Sequence, residues 1–312
     1  MGENMSGQVR GKDTVVDSAL KEVKEHGTAG MPFAVYLNDF ASFQTEGICW
    51  HWHDELQITL ITEGLFCCQV GSEKVMMEPG EIIFFNSRAL HQISPCKRGE
   101  GKLYSFLWSP VFLSGTTESD LYRNCIAPVM ESRLKYALFG LSHAFNKQLQ
   151  TRLRRIINIM LDKERYYELT ACDQMMKIWM RICEYADSDL QQDAKSISRY
   201  LAEEKDEVKV KNALAYIQEN YREKITLEAI AQAAMTNRSE LCKCFRRVLD
   251  TTPNEFLIRY RLDRALELME NPELRVSDIA EWTGFCSPSH FGTHFVKYMG
   301  CTPLQYRKTL GE

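Results

Sequence analysis

The feature that most restricts how this chain can fold is a repeat in its last third. Thr252-Pro253-x-x-Phe256 returns as Thr302-Pro303-x-x-Tyr306, and Phe245 returns as Phe295, both at a shift of 50. Ile230-Ala231 returns as Ile279-Ala280 at a shift of 49. Two copies are too few for a solenoid, which needs about three or more to bury a continuous core. The repeat therefore points to a duplicated supersecondary unit. Each copy reads as helix, tight turn, helix. In the first, Thr226 is an N-cap for Leu227–Ala234 and a second helix starts near Asn237. In the second, Ser277 caps Asp278–Thr283, Gly284 supplies the left-handed residue that ends that helix, and Ser287-Pro288 opens the next. Two short helices across a tight turn make a helix-turn-helix. Between the copies, Asn254–Met269 is helix-forming throughout. At 1.5 Å per residue it is a stiff bar of about 22 Å, fit to hold two reading heads roughly one duplex turn (~34 Å) apart.

Helical phasing gives the second helix of the first copy two faces. Leu241, Phe245, Val248 and Leu249 form the inward stripe; Ser239, Cys242, Lys243 and Arg246 form the outward one, flanked by Arg238 and Arg247. Asn237–Val248 carries four basic residues and one acidic one. Residues 207–312 as a whole are nearly neutral, with fifteen basic and fourteen acidic side chains. A solvated face is the bland reading of such a stripe. The duplicated unit favours a DNA-reading face, because Arg and Lys bond guanine edges or phosphates in a groove wide enough for a helix. The second copy is poorer in base. It offers Ser287, Ser289, His290, Thr293 and Lys297, with free N–H groups at its helix start, which suits phosphate contact and register more than base discrimination. His290 and His294 stand at metal-ligand spacing but lack a third ligand nearby, so packing or phosphate contact is expected of them.

Upstream, residues 31–108 read as β structure. Alternating or apolar runs such as Gln57–Ile61 and Glu81–Phe85 are bounded by Glu63-Gly64, Val70-Gly71-Ser72 and Glu78-Pro79-Gly80, the pattern of a small sandwich or barrel. His51, His53, Glu55 and Gln57 alternate, so one extended strand places them on one face, where His91 from another strand can meet them. From Ser142 to Asp187 the period becomes helical. Phe145, Leu149, Leu153, Ile156, Met160 and Leu161 form one stripe; Cys172, Met175, Met176, Trp179, Ile182, Cys183 and Ala186 form another. These stripes pack internally or form a dimer seam. Residues 187–207 are polar and suit a linker, in part helical.

Composition bounds the rest. A chain of 312 residues, 45% hydrophobic and 26% charged, is ordinary globular protein of about two domains. No uninterrupted apolar run approaches 18 residues and the N-terminus lacks an apolar signal core, so neither a membrane span nor a secretory leader is expected. Eleven scattered cysteines without a C-x-x-C fit reduced thiols in a cytoplasm. Cys67-Cys68 and Cys242-x-Cys244 read as small apolar side chains; Cys242 alone, on the outward face beside Lys243 and Arg246, sits where basic neighbours favour a thiolate. Walker A, dinucleotide-glycine, G-x-S-x-G and H-E-x-x-H signatures are absent.

Residues 208–308 resemble the DNA-binding domain of the AraC/XylS family of transcription regulators. The resemblance rests on Leu227-x-x-Ile230-Ala231, Leu241-x-x-x-Phe245, Thr252-Pro253, Tyr260-Arg261-Leu262-x-x-Ala265, Ile279-Ala280-x-x-x-Gly284-Phe285, His290-Phe291-x-x-x-Phe295 and Gly300-x-Thr302-Pro303-x-x-Tyr306-Arg307. Two departures stand out: Asp250 where that family usually has glycine, and Gly292-Thr293 where its second reading helix commonly has Ser-Arg. The β region resembles the cupin fold, whose metal-binding members use two close histidines, a carboxylate and a later histidine; here Gln57 stands where the carboxylate is expected, with Glu55 as a substitute.

The fold class expected is thus α+β and multidomain: a cupin-like N-terminal β-barrel with a helical pair, then an all-α domain with two helix-turn-helix units. The boundaries are an arm over 1–30, the sensor over 31–110, a helical dimerisation region over 111–190, a linker over 191–207 and the DNA-binding domain over 208–312. The resemblance implies a cytoplasmic, dimeric, non-enzymatic regulator that binds promoter DNA. It implies a small-molecule effector, such as a sugar, held by His51, His53, Glu55, Gln57 and His91, and RNA polymerase as the partner in activation. No cofactor is required, although His51, His53 and His91 are the set that would hold a divalent metal. Two rival readings stay open: a metal-dependent cupin enzyme, and a dimeric DNA-binding protein that needs no ligand.

Overall fold

The computed structural model describes residues 16, 20–42, 47–162, 165–190 and 195–310. They form two compact units, one built on Lys21–Leu201 and one on Ala202–Glu312. Most of the expected arm, and the start of the expected linker, lie outside the described residues.

The first unit holds nine strands: β1 (Phe33–Asp39), β2 (Ile48–His51), β3 (Leu56–Glu63), β4 (Phe66–Val70), β5 (Glu73–Met77), β6 (Ile82–Phe85), β7 (His91–Pro95), β8 (Lys102–Trp108) and β9 (Tyr136–Phe139). They pair antiparallel in two sheets, ordered β1-β8-β3-β6-β9 and β2-β7-β4-β5. The result is a cupin-like sandwich, not a closed barrel. β3 shows why. Its side chains alternate between two buried faces. Leu56, Ile58 and Leu60 join Phe84, Phe106 and Trp108 on the outer face, while Ile61 joins Ile83, Phe85 and Leu103 on the inner face against Phe66, Cys68, Val70 and Ile93 of the second sheet.

A short helical turn, α1 (Ala127–Met130), precedes β9; α2 (Asn146–Asp162) and α3 (Tyr167–Leu190) follow it. The two predicted helices are therefore present. Their stripes are consumed inside the unit: Leu149, Leu153, Ile156, Met160, Met175, Trp179, Ile182 and Ala186 pack on the outer face of the five-stranded sheet. Leu161, placed in that stripe by periodicity, is instead 50% exposed. β9 corrects the purely helical reading of 111–190. Its four residues, Tyr-Ala-Leu-Phe, are too few to show a period, yet they pair with Ile82–Phe85 along the sheet edge.

The second unit is all-helical: α4 (Lys195–Asn220), α5 (Leu227–Ala233), α6 (Arg238–Leu249), α7 (Pro253–Met269), α8 (Val276–Trp282), α9 (Pro288–Met299) and α10 (Pro303–Leu310). Helix begins at Lys195, so most of the linker expected over 191–207 is the first half of α4. The caps predicted at Thr226 and Ser287 form, and Asn237, near which a helix start was expected, also caps; each side chain accepts from the backbone N–H three residues on. Ser277 does not cap α8. That helix starts earlier, after Arg275, and the Ser277 hydroxyl donates to Asp278 within the first turn. The repeat is visible in three dimensions. Phe245 meets Phe256 edge-on at 6.3 Å, and Phe295 meets Tyr306 edge-on at 5.7 Å. Thr252 and Glu255 form a capping box, and Thr302 and Gln305 exchange the equivalent bonds at α10. α7 packs against α5 and α6 and also against α8 and α9.

Candidate nucleic-acid interface and effector pocket

On α6 the apolar stripe turns inward. Leu241, Phe245, Val248 and Leu249 are buried, and so is Cys244, which phasing alone did not assign. Ser239, Lys243 and Arg246 are exposed, and Cys242 is half-buried. Among the described residues, the acidic partners of Arg238 and Arg246 are distant, Glu228 at 3.8 Å and Glu255 at 4.0 Å. Their side chains are largely exposed, so these pairs hold them weakly. Arg247 is different. Its guanidinium lies 2.8 Å from Asp206 on α4 and 2.8 Å from Glu240. The Cys244 thiol donates to Asp206 at 3.2 Å, and burial together with that carboxylate pushes its pKa up to about 11. Cys244 is thus a protonated packing group, and Asp206, Glu240 and Arg247 tie α6 to α4.

On α9, Phe291 and Phe295 are buried while Ser289, Thr293 and Lys297 are exposed. Ser287 is taken up as the cap and the Thr293 hydroxyl donates to the Ser289 carbonyl. His290 and His294 bring their Nε2 atoms to 3.1 Å, so those two atoms satisfy one another, while His290 Nδ1 is buried with no hydrogen-bond partner among the described residues. The face is flatter and less cationic than that of α6.

In the first unit, the four alternating residues His51, His53, Glu55 and Gln57 do not share a strand. β2 ends at His51, the chain turns through residues 53–55, and Gln57 lies on β3. The polar Asp54 explains the turn: its carboxylate bonds Arg88 and pairs with Lys21. The imidazoles nevertheless converge. His51 pairs in register with His91 across β2 and β7, with ring centroids 4.2 Å apart, and His53 lies 5.3 Å from His91. One ring nitrogen from each comes within 4.8 Å of the other two, and all three residues are at least 97% buried. Burial drives the His51 pKa down to about 4 and that of His91 well below the ordinary range, with the neighbouring imidazoles adding to both effects. Glu55 turns its carboxylate toward His53 only to 4.0 Å, and its backbone carbonyl accepts from His53 Nδ1. Gln57 is buried, 2.8 Å from His53 Nε2 and 2.9 Å from the Thr59 hydroxyl.

A cavity of about 390 Å³, including its open mouth, borders this cluster. Glu22, Lys24, His26, Tyr36, Asn38 and Ser105 line it together with His51 and Gln57. Burial works to raise the Glu22 pKa, but the bond to His26 and the nearby His51 and His53 outweigh it and hold the carboxyl below its usual range. The His26 ring meets the Tyr36 hydroxyl at 3.0 Å, and Asn38 donates to Ser105 at 3.3 Å. The wall is polar, with Ile48 and Leu107 as its apolar patches.

A family model described as an AraC-like ligand binding domain matches residues 39–177, and one described as a helix-turn-helix domain matches residues 230–309. The HTH-type transcriptional regulator YdeC of Bacillus subtilis is 32% identical over 305 residues, 95% of this chain and 99% of that one. The melibiose operon regulatory protein of Escherichia coli is 24% identical over 260 residues, 83% of each chain. The solved structure of fatty-acid-bound ToxT from Vibrio cholerae covers 88% of this chain and 94% of its own, at 16% identity and a TM-score of 0.42.

The chain belongs to the AraC family of transcription regulators. As in the sequence reading, a ligand-binding domain precedes a double helix-turn-helix that binds DNA. The pocket of this AraC-family protein also contains residues that sequence reasoning missed. Asn38 and Ser105 carried a usable signal, since each is a polar residue on the inward face of a strand (β1 or β8) otherwise rich in apolar side chains. Glu22 and His26 carried none: they precede the first strand in a segment whose described backbone pairings are isolated bridges, Val16 with Glu22, Lys21 with Trp52 and Thr28 with Met31. Among the described residues no helix is long and apolar enough to cross a membrane.

Proposed function

We propose that this protein is a cytoplasmic, dimeric activator that reads promoter DNA mainly through Arg238, Ser239, Cys242, Lys243 and Arg246 on α6. Ser287, Ser289, His290, Thr293 and Lys297 on α9 hold register against phosphates, and Arg247 acts chiefly by bracing α6. The observation that carries this reading is the contrast between the two helices. They are built alike, but the exposed face of α6 keeps Lys243 and Arg246 available while that of α9 keeps only Lys297.

The effector in this reading is a small polar molecule, a sugar being the type case, held among His51, His53, Glu55, Gln57 and His91 and the newly found Glu22, His26, Asn38 and Ser105. The name of the melibiose operon relative supports a sugar, and the donor-rich wall of the pocket suits hydroxyl groups. Effector binding biases the DNA-binding arrangement only to the extent that the two arrangements bind it with different affinity. The dimer face excludes the stripes buried by the sheet and uses other surface of the helical pair, where Leu169 and Met180 are exposed. RNA polymerase is the partner recruited at the promoter.

The decisive experiment is footprinting on the promoter with single alanine variants. Lys243→Ala or Arg246→Ala is expected to weaken specific binding by about 1–3 kcal/mol and relax the sequence preference. Thr293→Ala should weaken binding less and leave the preference intact. Unchanged footprints for both basic variants would remove α6 as the reading helix.

A further inference from the structure

We propose that His51, His53 and His91 form a binding site for one divalent transition-metal ion, with the Glu22 carboxylate as its counter-charge. The inference uses the location of the effector pocket but not the chemistry of any effector. Promoter footprints, and an effector-induced thermal shift measured in chelator, test the functional reading separately.

Three features carry it. The first is how the rings are held. Each histidine turns Nδ1 to a backbone carbonyl: His51 to Cys49 at 2.8 Å, His53 to Glu55 at 3.0 Å and His91 to Ala89 at 2.8 Å. A carbonyl can only accept, so each Nδ1 carries the hydrogen, and a neutral ring then leaves its lone pair on Nε2. Metal-binding histidines are fixed in this way, the second ring nitrogen donating to a backbone or carboxylate oxygen. All three rings of the cluster share that arrangement.

The second is the His91 Nε2 atom. It is fully buried and has no hydrogen-bond partner among the described residues. A buried polar atom in that state costs free energy unless something occupies its lone pair. His53 Nε2 does have a neighbour, the Gln57 amide at 2.8 Å. There the Gln57 oxygen faces Nε2 and the Gln57 NH2 group donates to the Thr59 hydroxyl at 2.9 Å. Because Nδ1 carries the ring hydrogen, a half-turn of the amide is needed for its NH2 to donate to Nε2 and the Thr59 hydroxyl to its oxygen, and an ion takes the amide's place at the ring.

The third is charge. Three neutral imidazoles leave a buried divalent ion uncompensated, which a low-dielectric site tolerates poorly. Glu22 lines the same cavity, with its side chain only 7% exposed. Lys24, the one cation among the described residues of the cavity wall, has its ammonium over the Tyr36 ring at 4.5 Å. Imidazole nitrogen selects zinc, nickel, cobalt, copper or iron over calcium or magnesium. Three protein ligands also leave a coordination position open.

The test titrates metal-stripped full-length protein with Co2+ and with Zn2+ in a non-chelating reductant, following cobalt absorption and competition with a chromophoric chelator. One equivalent per chain should bind with micromolar or tighter affinity. His91→Ala and His51→Ala should lower that affinity at least 100-fold, and Glu22→Gln about 10-fold. His290→Ala/His294→Ala should leave it unchanged. X-ray absorption on zinc-loaded wild type keeps the proposal testable if a histidine variant does not fold: three imidazole nitrogens at about 2.0–2.1 Å are expected. No stoichiometric binding, sulfur in the first shell, or affinity retained in His91→Ala would each overturn it.

Discussion

At the scale of single residues, the sharpest constraint in the DNA-binding unit sits in the second helix-turn-helix. Gly284 has φ of +81°, and a Cβ there would lie 2.2 Å from the Tyr221 carbonyl and 3.0 Å from that of Arg222. The same stretch of chain is held by buried Arg261, which donates to the Tyr221 and Glu223 carbonyls at 2.7 Å and whose guanidinium would itself lie 2.9 Å from that Cβ. Backbone cannot yield there as a flexible side chain would. Gly284→Ala should therefore destabilise the protein by at least about 2 kcal/mol in urea unfolding. Gly300 also has positive φ, +72°, but open space around it. Gly300→Ala then meets only the backbone penalty of about 1–2 kcal/mol, and a cost for Gly300→Ala equal to that for Gly284→Ala would contradict the close-approach argument. Gly284 was legible in the sequence because a turn after an amphipathic stretch demands a left-handed residue. Its equivalent in the first copy was not: Met235 adopts φ of 51° in a turn that its residue type does not announce, whereas Asp250, the counterpart of Gly300 with φ of 52°, stands where the resemblance already pointed to glycine.

Helices and strands show what periodicity can and cannot deliver. The two helical stripes, the helix-turn-helix pair and the run of short strands were legible because burial on one face imposes a period. The alternation of His51, His53, Glu55 and Gln57 misled, because a two-residue period is also what a strand, a turn and a second strand show when the break is short. β9 escaped because pairing across a sheet edge leaves no mark in a four-residue segment. α7 offers a test of how sequence sets an element's start. Thr252 and Glu255 close the helix's first turn, and the hydroxyl and backbone N–H of Thr252 hold the Glu255 carboxyl below its ordinary pKa, with Arg246 helping. A carboxyl with a depressed folded pKa adds stability above its unfolded value of about 4.3 and loses it as pH falls through the folded value. Gln305 makes the same contacts at α10 without charge. Glu255→Gln should consequently be less stable than wild type from neutral pH down to about pH 5, and the difference should vanish on further acidification. A gap between the two denaturation midpoints that persists at pH 3 would mean that shape, not charge, makes the difference.

For the whole molecule the informative quantity is where one unit begins. The sequence reading placed the DNA-binding domain at Val208 because polar composition ends and helical motif begins there. Composition could not reveal that 195–220 is one continuous helix, since a helix with one half solvated reads like a charged linker followed by a motif. The second compact unit starts at Ala202, and the six residues gained include Asp206, which is 7% exposed and bonds both Arg247 and the Cys244 thiol. A fragment beginning at Val208 deletes that carboxylate. Among the described residues it leaves Arg247 paired with Glu240, and leaves the Cys244 thiol with long contacts of 3.8 Å to the Glu240 carboxylate and the Arg247 guanidinium. Removing one partner of a hydrogen-bonded, partly buried charge cluster costs on the order of 1–3 kcal/mol. Residues 202–312 should thus fold and bind a promoter site, and residues 208–312 should melt lower and bind more weakly at the same salt concentration. Asp206→Ala in the longer fragment should reproduce most of that loss. Equal melting of the two fragments would show that the first turns of α4 contribute nothing to the reading head, and that the boundary drawn from sequence was sufficient.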